Sequence, residues 1–418
     1  MANAIPRRSH TVRFFMGWLA LVPAVLCAQS AQDRSVEKYG EFACRPLSCS
    51  TLIPSKSVDD KSNNDCGYRN GNEWWVDYVA GSLLWSDKPP AKRVVVALFD
   101  DGAFTEHVEL RNQLWTNEAE ANGKPGVDDD GNGYTDDIHG WDFVDDDADV
   151  SPQGECVGRT SHGTFMASLI AAERNNGVGI AAAGSDGARV MVLRVAGCGG
   201  RSKDRVNPER LIRALDYAQK MGAKVMSFSA HWADDTTPEL DAAFKRVADA
   251  PSPRLNDPGA IIVASVPNKG EAQAGFPAAY PFRRIVRAIP IGNDNIISPG
   301  TSAAPPGLNL GAPSACVLGA TAGTLGYRVE NGSSNSTAIL SGLLAGLWAS
   351  APYARLSADE FLAKVVRDRM SRTPRRSQSD LRGDYPRGVP LADACTLATK
   401  RRSANVCLEP GQEQGRSQ

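Results

Sequence analysis

The stretch Arg93-Val94-Val95-Val96-Ala97-Leu98-Phe99-Asp100-Asp101-Gly102 decides the fold. Its unbroken apolar run, rich in valine, suits a strand buried on both faces, as strands of parallel sheets are. A strand with one wet face would alternate instead. The run stops at two carboxylates and a glycine, so ionisable side chains stand at the strand's carboxyl end. Similar runs follow at 189–195, 224–229, 260–266 and 284–291. Helical signals separate them. Asn207-Pro208 reads as a cap with a first-turn proline, Leu211, Leu215 and Ala218 form an apolar face, and Gly222 closes the helix. Pro238 to Ala248 reads as the next helix. Such alternation predicts an α/β fold, a parallel sheet with helices on both faces. Ligands bind such sheets beyond the carboxyl ends of the strands. Asp100, Ser229 and Asn268 all fall there.

Two further segments are apolar on every side, as helices at the centre of a large core are. The first is Thr160-Ser-His-Gly-Thr-Phe-Met-Ala-Ser-Leu-Ile-Ala-Ala172, with His162 at its mouth and Thr160 or Ser161 as its cap. The second is Ile339 to Trp348, entered through Gly332-Ser-Ser-Asn-Ser-Thr-Ala338. A histidine at such a helix start reads either as a rigidly held general base or as a loop residue satisfied by its neighbours. Ser357-Ala-Asp-Glu360 is a capping box for a later surface helix.

Composition narrows the class. The chain has 418 residues, 42% hydrophobic and 22% charged, as ordinary globular proteins have. Its 46 basic and 48 acidic residues leave a net charge of −2, which gives no reason to expect nucleic acid as a partner. Residues 1–30 read as a signal peptide: Arg7, Arg8 and Arg13 precede an apolar run too short to span a bilayer comfortably, and Ala28 and Ser30 suit a peptidase site. Export to the periplasm or outside the cell is expected, with no membrane attachment after cleavage. Eight of the nine cysteines remain after Cys27 leaves, an even number that suits disulfides. Proximity suggests Cys395 with Cys407. Residues 31–84, polar and without strong periodicity, read as a disulfide-rich extension or short pro-segment; 85–400 form the main domain and 401–418 a tail.

Asp100 after a strand, His162 opening one buried helix and Ser334 opening another can meet at one site. The chain order Asp, His, Ser is one that a nucleophilic triad uses. A serine hydroxyl is a poor nucleophile until a base takes its proton. The imidazole is that base, and a buried carboxylate fixes its tautomer and steadies the imidazolium. Asn268 brings a side-chain N–H₂ which, with the backbone N–H of Ser334, can hold an oxyanion. Of the other histidines, His107 and His139 sit in polar loops and His231 follows a strand. Ser333 and Ser336 are rival nucleophiles.

The blocks Val96 to Gly102, Ser161-His-Gly-Thr164, Asn268 with Phe276-Pro-Ala-Ala-Tyr280, and Gly332-Ser-Ser334 to Gly342 resemble those of subtilisin-like serine proteases, the subtilases. The resemblance runs from about Trp85 to Ala394. It implies a parallel sheet of about seven strands, Asp100, His162 and Ser334 as triad, and Asn268 as oxyanion donor. It also implies that the backbone at Ser229 pairs with a peptide substrate, and it favours Ser334 over its rivals by spacing from Gly332 and Gly342. The chain departs from the family where Pro267 stands before the asparagine, His231 follows the pairing strand, and Asn335-Ser-Thr-Ala338 follows the nucleophile. Pro267 and His231 are expected to line a reshaped pocket for the residue before the scissile bond.

The acidic run Asp128-Asp-Asp-Gly-Asn-Gly-Tyr-Thr-Asp-Asp137 offers ligand oxygens at Asp128, Asp130, Asn132, Asp136 and Asp137, with Gly133 permitting a tight turn. This is the first half of a calcium-loop pattern, and hard oxygens suit calcium. Like charges so close repel unless a cation sits among them. Subtilases often carry such an insertion, and the resemblance adds a second calcium candidate at Glu109 with Asn176. The expectation is a monomeric, calcium-stabilised serine endopeptidase acting on proteins or peptides. Two alternatives stand beside it: a catalytically weak relative that binds peptides, and a metal hydrolase built on Asp128 to Asp137 with His139. The latter is poorly supplied with the histidines that hydrolytic zinc wants.

Overall fold

The computed structural model describes residues 63–69, 73–153, 161–197, 207–230, 232, 236–250, 259–268, 275–292, 307–322, 326–351 and 353–367. In chain order the elements are α1 (Cys66–Arg69), α2 (Trp74–Tyr78), β1 (Val94–Asp100), α3 (Glu118–Ala121), β2 (Gly140–Asp142), α4 (His162–Ala171), β3 (Ala188–Arg194), α5 (Pro208–Lys220), β4 (Val225–Phe228), α6 (Pro238–Ala248), β5 (Ile261–Ser265), β6 (Ile285–Ile291), β7 (Leu308–Pro313), β8 (Val317–Thr321), β9 (Gly326–Glu330), α7 (Ser333–Ala349) and α8 (Ala358–Phe361). The first seven strands form one sheet in the order β2-β3-β1-β4-β5-β6-β7, parallel throughout. β8 and β9 make a separate antiparallel hairpin. The parallel α/β sheet expected from the valine-rich runs is therefore present.

Side-chain parity along β1 sets the layers. Val94, Val96 and Leu98 join α4 and α7 in one core, while Ala97 and Phe99 join α5 and α6 in the other. Asp100 continues the first series, so it emerges on the face covered by α4. The same alternation puts Ser227 of β4 beneath α7, where Ser341 Oγ donates to its hydroxyl at 3.0 Å. α7 is buried along almost its whole length and packs on α4 and on β1, β4, β5, β6 and β7. Its lack of charge is thereby explained.

Local signals act as expected at the helix starts. Asn207 and Thr237 accept from the third-residue N–H of α5 and α6, each with proline in the first turn. The capping box at Ser357 and Glu360 is present. The described residues before β1 include the short helices α1 and α2. Trp75 and Val76 of α2, and Val79 just after it, are completely buried, in the same core as α4 and α7. Gly67 N donates to Gly179 O at 2.7 Å, and Asp65 accepts from the N–H groups of Asn175 and Gly177. No helix among the described residues is long and apolar enough to cross a membrane. The N-terminal stretch 1–30, the tail and the Cys395–Cys407 pairing lie outside the described residues.

Candidate active site

β1 ends on a carboxylate because the sheet stops there, and α4 begins on His162 a short distance above it. Ser161 caps α4 by accepting from Thr164 N at 3.2 Å. Thr164 in turn accepts from Phe104 N at 2.9 Å, tying the helix start to the loop after β1. Gly163 is required by close approach: a Cβ there would lie 2.1 Å from Gly102 O and 3.1 Å from Asp100 Cβ. With that space free, His162 Nδ1 lies 2.8 and 2.9 Å from the two oxygens of Asp100. A carboxylate against Nδ1 makes it the protonated nitrogen and leaves Nε2 as the acceptor. Burial lowers the imidazole's affinity for protons, but the charge and hydrogen bond of Asp100, with Asp101 and Glu330 behind it, outweigh burial and raise the pKa.

Ser334 is the second residue of α7, at the positive end of a long buried helix. Its hydroxyl donates to the carbonyl of Ser229 at 2.8 Å, just past the end of β4, and Ser229 Oγ donates back to Ser334 O at 3.3 Å. Ser333 N donates to Asn268 Oδ1 at 2.7 Å, which fixes the amide's rotation and assigns Nδ2 as its donor end. A Cβ on Gly332 would stand 3.9 Å from Ser334 N and 4.0 Å from Asn268 Nδ2, so the missing side chain keeps the space between these two donors open. Of the rival serines, Ser336 is spent on the carbonyls of Ala312 and Pro313, and Ser333 is buried.

The structure thus brings Asp100 to His162, and Ser334 to Ser229 and the Asn268 segment. Pro267 is buried at the exit of β5. His231 lies outside the described residues, but its neighbour Trp232 exchanges two backbone hydrogen bonds with Phe276, at 3.1 and 2.8 Å. His139 Nδ1 meets Trp115 O at 2.9 Å. His107, read as a polar-loop residue, is fully buried, its Nε2 against Gly326 O at 3.0 Å.

In the acidic run the carboxylates sort into two groups. Asp130 and Asp137 gather with Glu120 of α3, one oxygen from each lying within 4.8 Å of the others. Asn117 Nδ2 and Asn132 Nδ2 each donate to both aspartates. Tyr217 OH donates to Asp137 at 2.5 Å. Asp128 is instead turned to Asn132 N and Gly133 N, and Asp136 to Gly126 N. Glu120 carried no sequence signal, standing outside the run in a different element. At the second candidate, Glu109 accepts from Asn176 Nδ2, Ile180 N and Tyr327 OH at 3.0, 2.9 and 2.7 Å, donors that occupy its oxygens. Burial pushes its pKa up to about 8.

With this geometry in view, comparison with known proteins gives the family. The subtilase family matches residues 91–386. The chain belongs to the subtilase family. Subtilisin-like protease 1 of Plasmodium vivax is 37% identical over 145 residues, covering 34% of this chain and 21% of that protein. Thermitase of Thermoactinomyces vulgaris is 30% identical over 213 residues, 51% of this chain and 67% of thermitase. The chain thus spans only about a fifth of the Plasmodium subtilase's own length. The solved structure of prenylagaramide maturation protease PagA shares the fold with a TM-score of 0.55 at 16% identity, covering 76% of this chain and 96% of that one.

Proposed function

We propose that this subtilase is a serine endopeptidase, with Ser334 as nucleophile, His162 as general base, Asp100 as its orienting carboxylate and Asn268 as oxyanion donor. The observation that carries this reading is the clasp of both Asp100 oxygens on His162 Nδ1 at 2.8 and 2.9 Å. It leaves Nε2 as the basic nitrogen, the form a serine needs. Ser334 Oγ attacks the scissile carbonyl carbon while His162 Nε2 takes its proton. The carbonyl oxygen becomes an oxyanion between Asn268 Nδ2 and Ser334 N, and the helix dipole of α7 favours the same charge. Imidazolium then gives its proton to the leaving amine as the C–N bond breaks, and an acyl-enzyme remains. Water, deprotonated by the same imidazole, releases the acid and restores Ser334.

Substrates on this reading are proteins or peptides whose backbone lies along Ser229, with Pro267 and His231 shaping the adjacent pocket. The disulfide at Cys316 supports export, as oxidised cysteines belong to oxidising compartments. The charged N-terminal stretch 1–30 is its signal, and the released protein acts as a monomer free of membrane. Calcium fits the oxygens of Glu120, Asp130 and Asp137, a hard donor set with buried members; its contribution there is to neutralise repulsion and brace the loop. One observation favours the weaker alternative, a peptide binder with little turnover: the Ser334 hydroxyl rests on Ser229 O. Labelling with a fluorophosphonate separates the readings. Label on the wild type, lost in Ser334→Ala, is expected; folded protein that takes no label sinks the enzyme and leaves the binder.

A further inference from the structure

The residue after Asp100 has no part in the triad, yet it is a buried carboxylate beside another one. Asp101 Oδ1 accepts from Gly163 N at 2.7 Å and Oδ2 from His162 N at 3.3 Å. Those N–H groups belong to the first turn of α4, where helices lack internal acceptors. Ser161 already serves the third, at Thr164. Asp101 therefore caps α4 from another element, 61 positions earlier in the chain. Two adjacent residues at the end of one strand hold one histidine by opposite ends: Asp100 holds its ring, Asp101 its backbone.

A hydroxyl or an amide oxygen would satisfy the same N–H groups without charge. Instead a second carboxylate is buried against the first, which costs stability unless a cation nearby offsets it. The cation that forms there is the imidazolium. Among the described residues the nearby charged groups are engaged: Glu330 of β9 pairs with Arg328 Nε at 2.7 Å, and Arg194 at the end of β3 binds Asp142 and Asp145. We propose that Asp101 is a positioning residue for His162, anchoring its backbone to β1 and adding the negative charge that steadies the protonated ring. The inference rests on the triad reading for its catalytic meaning, but its geometry does not. Burial and the neighbouring charge of Asp100 also push the carboxyl of Asp101 itself upward, so part of its effect fades as the pH falls.

The test is an NMR titration of the His162 ring in the wild type, Asp101→Asn and Asp101→Ser, beside the pH dependence of fluorophosphonate labelling. Removing the charge should lower the His162 titration midpoint by about half a unit to one unit. The acid limb of labelling should move down with it. Asp101→Glu, which keeps the charge but misplaces the oxygens, should hold the high midpoint while labelling more slowly. Asp101→Ser, smaller and still an acceptor, serves if the asparagine N–H₂ facing an N–H prevents folding. Variants that melt earlier with an unmoved midpoint and limb would reduce Asp101 to a helix cap and overturn the proposal. The ring titration needs no turnover, so a protein that never takes the label refutes the protease while leaving this test intact.

Discussion

Ser334 Oγ donates to the carbonyl oxygen of Ser229 at 2.8 Å, the same carbonyl that a substrate backbone lying along the end of β4 would need. A substrate amide N–H that takes this carbonyl frees the hydroxyl proton for His162 Nε2. Methylating that one amide nitrogen in an otherwise matched peptide should therefore lower kcat as well as raise KM. One missing hydrogen bond in the transition state corresponds to about tenfold in rate. Steady-state kinetics on the substrate pair check this; an effect confined to KM would show that the hydroxyl is released without the amide.

The donors around Gly332 make a second expectation. Asn268→Ala should lower kcat about 10²- to 10³-fold with KM little changed, as loss of one oxyanion donor does. Gly332→Ala should imitate it by filling the space between Asn268 Nδ2 and Ser334 N. Its φ of 163° is extended backbone open to any residue, so the melting temperature should stay close to the wild type. A Gly332→Ala protein of full activity would place the oxyanion elsewhere.

Calcium should raise the melting temperature of metal-free protein, by about 2.7 kcal/mol of stability at a hundredfold excess over Kd. Glu120→Gln should remove that dependence despite lying outside the acidic run. Asp128→Asn should keep it, because the oxygens of Asp128 are turned to Asn132 N and Gly133 N. Calorimetry of the three proteins with and without calcium decides between the two sets of ligands.

Glu73 supplies a pH signature. It is buried, one oxygen accepting from Ala181 N at 2.9 Å and the other meeting no partner among the described residues. Burial raises its carboxyl well above the usual 4.5, and the charges of Asp65, Glu109 and Asp77 add to the shift. The folded state then keeps a proton that the unfolded chain has shed, so its contribution to stability declines as pH rises above about 4.5. Glu73→Gln should flatten that part of the profile and melt higher than the wild type at neutral pH. Thermal melts across the range test the sign directly.

Five of the seven parallel strands were readable because burial on both faces leaves uninterrupted apolar runs, and their observed bounds fall within a residue or two of those runs; β2 and β7 were not. The all-apolar helices were readable for the same reason. What escaped notice are elements whose burial comes from their surroundings. α2 has five residues, too few to show a period, and is fixed by the core that receives Trp75 and Val76. β2 is shorter still, and β9 is half-buried along its length without alternation. Polar residues hid similarly. Asp101 and Glu120 act through backbone N–H groups and neighbouring oxygens brought close only by the fold. His107 looked like a wet loop residue because its partner, Gly326 O, is far along the chain.

The packing of α7 has a consequence for the protein's synthesis. This helix lies against β1 and five later strands of the sheet, and it carries Ser334, the proposed nucleophile. Asp100 and His162 leave the ribosome long before Ser334 does. Until most of the sheet exists there is no bed for α7 to settle on, so a nascent or prematurely ended chain holds a base without anything to activate. On the proposed mechanism, cutting power arrives only once Ser334 has been made and seated, and the polypeptide growing before it is spared its own chemistry.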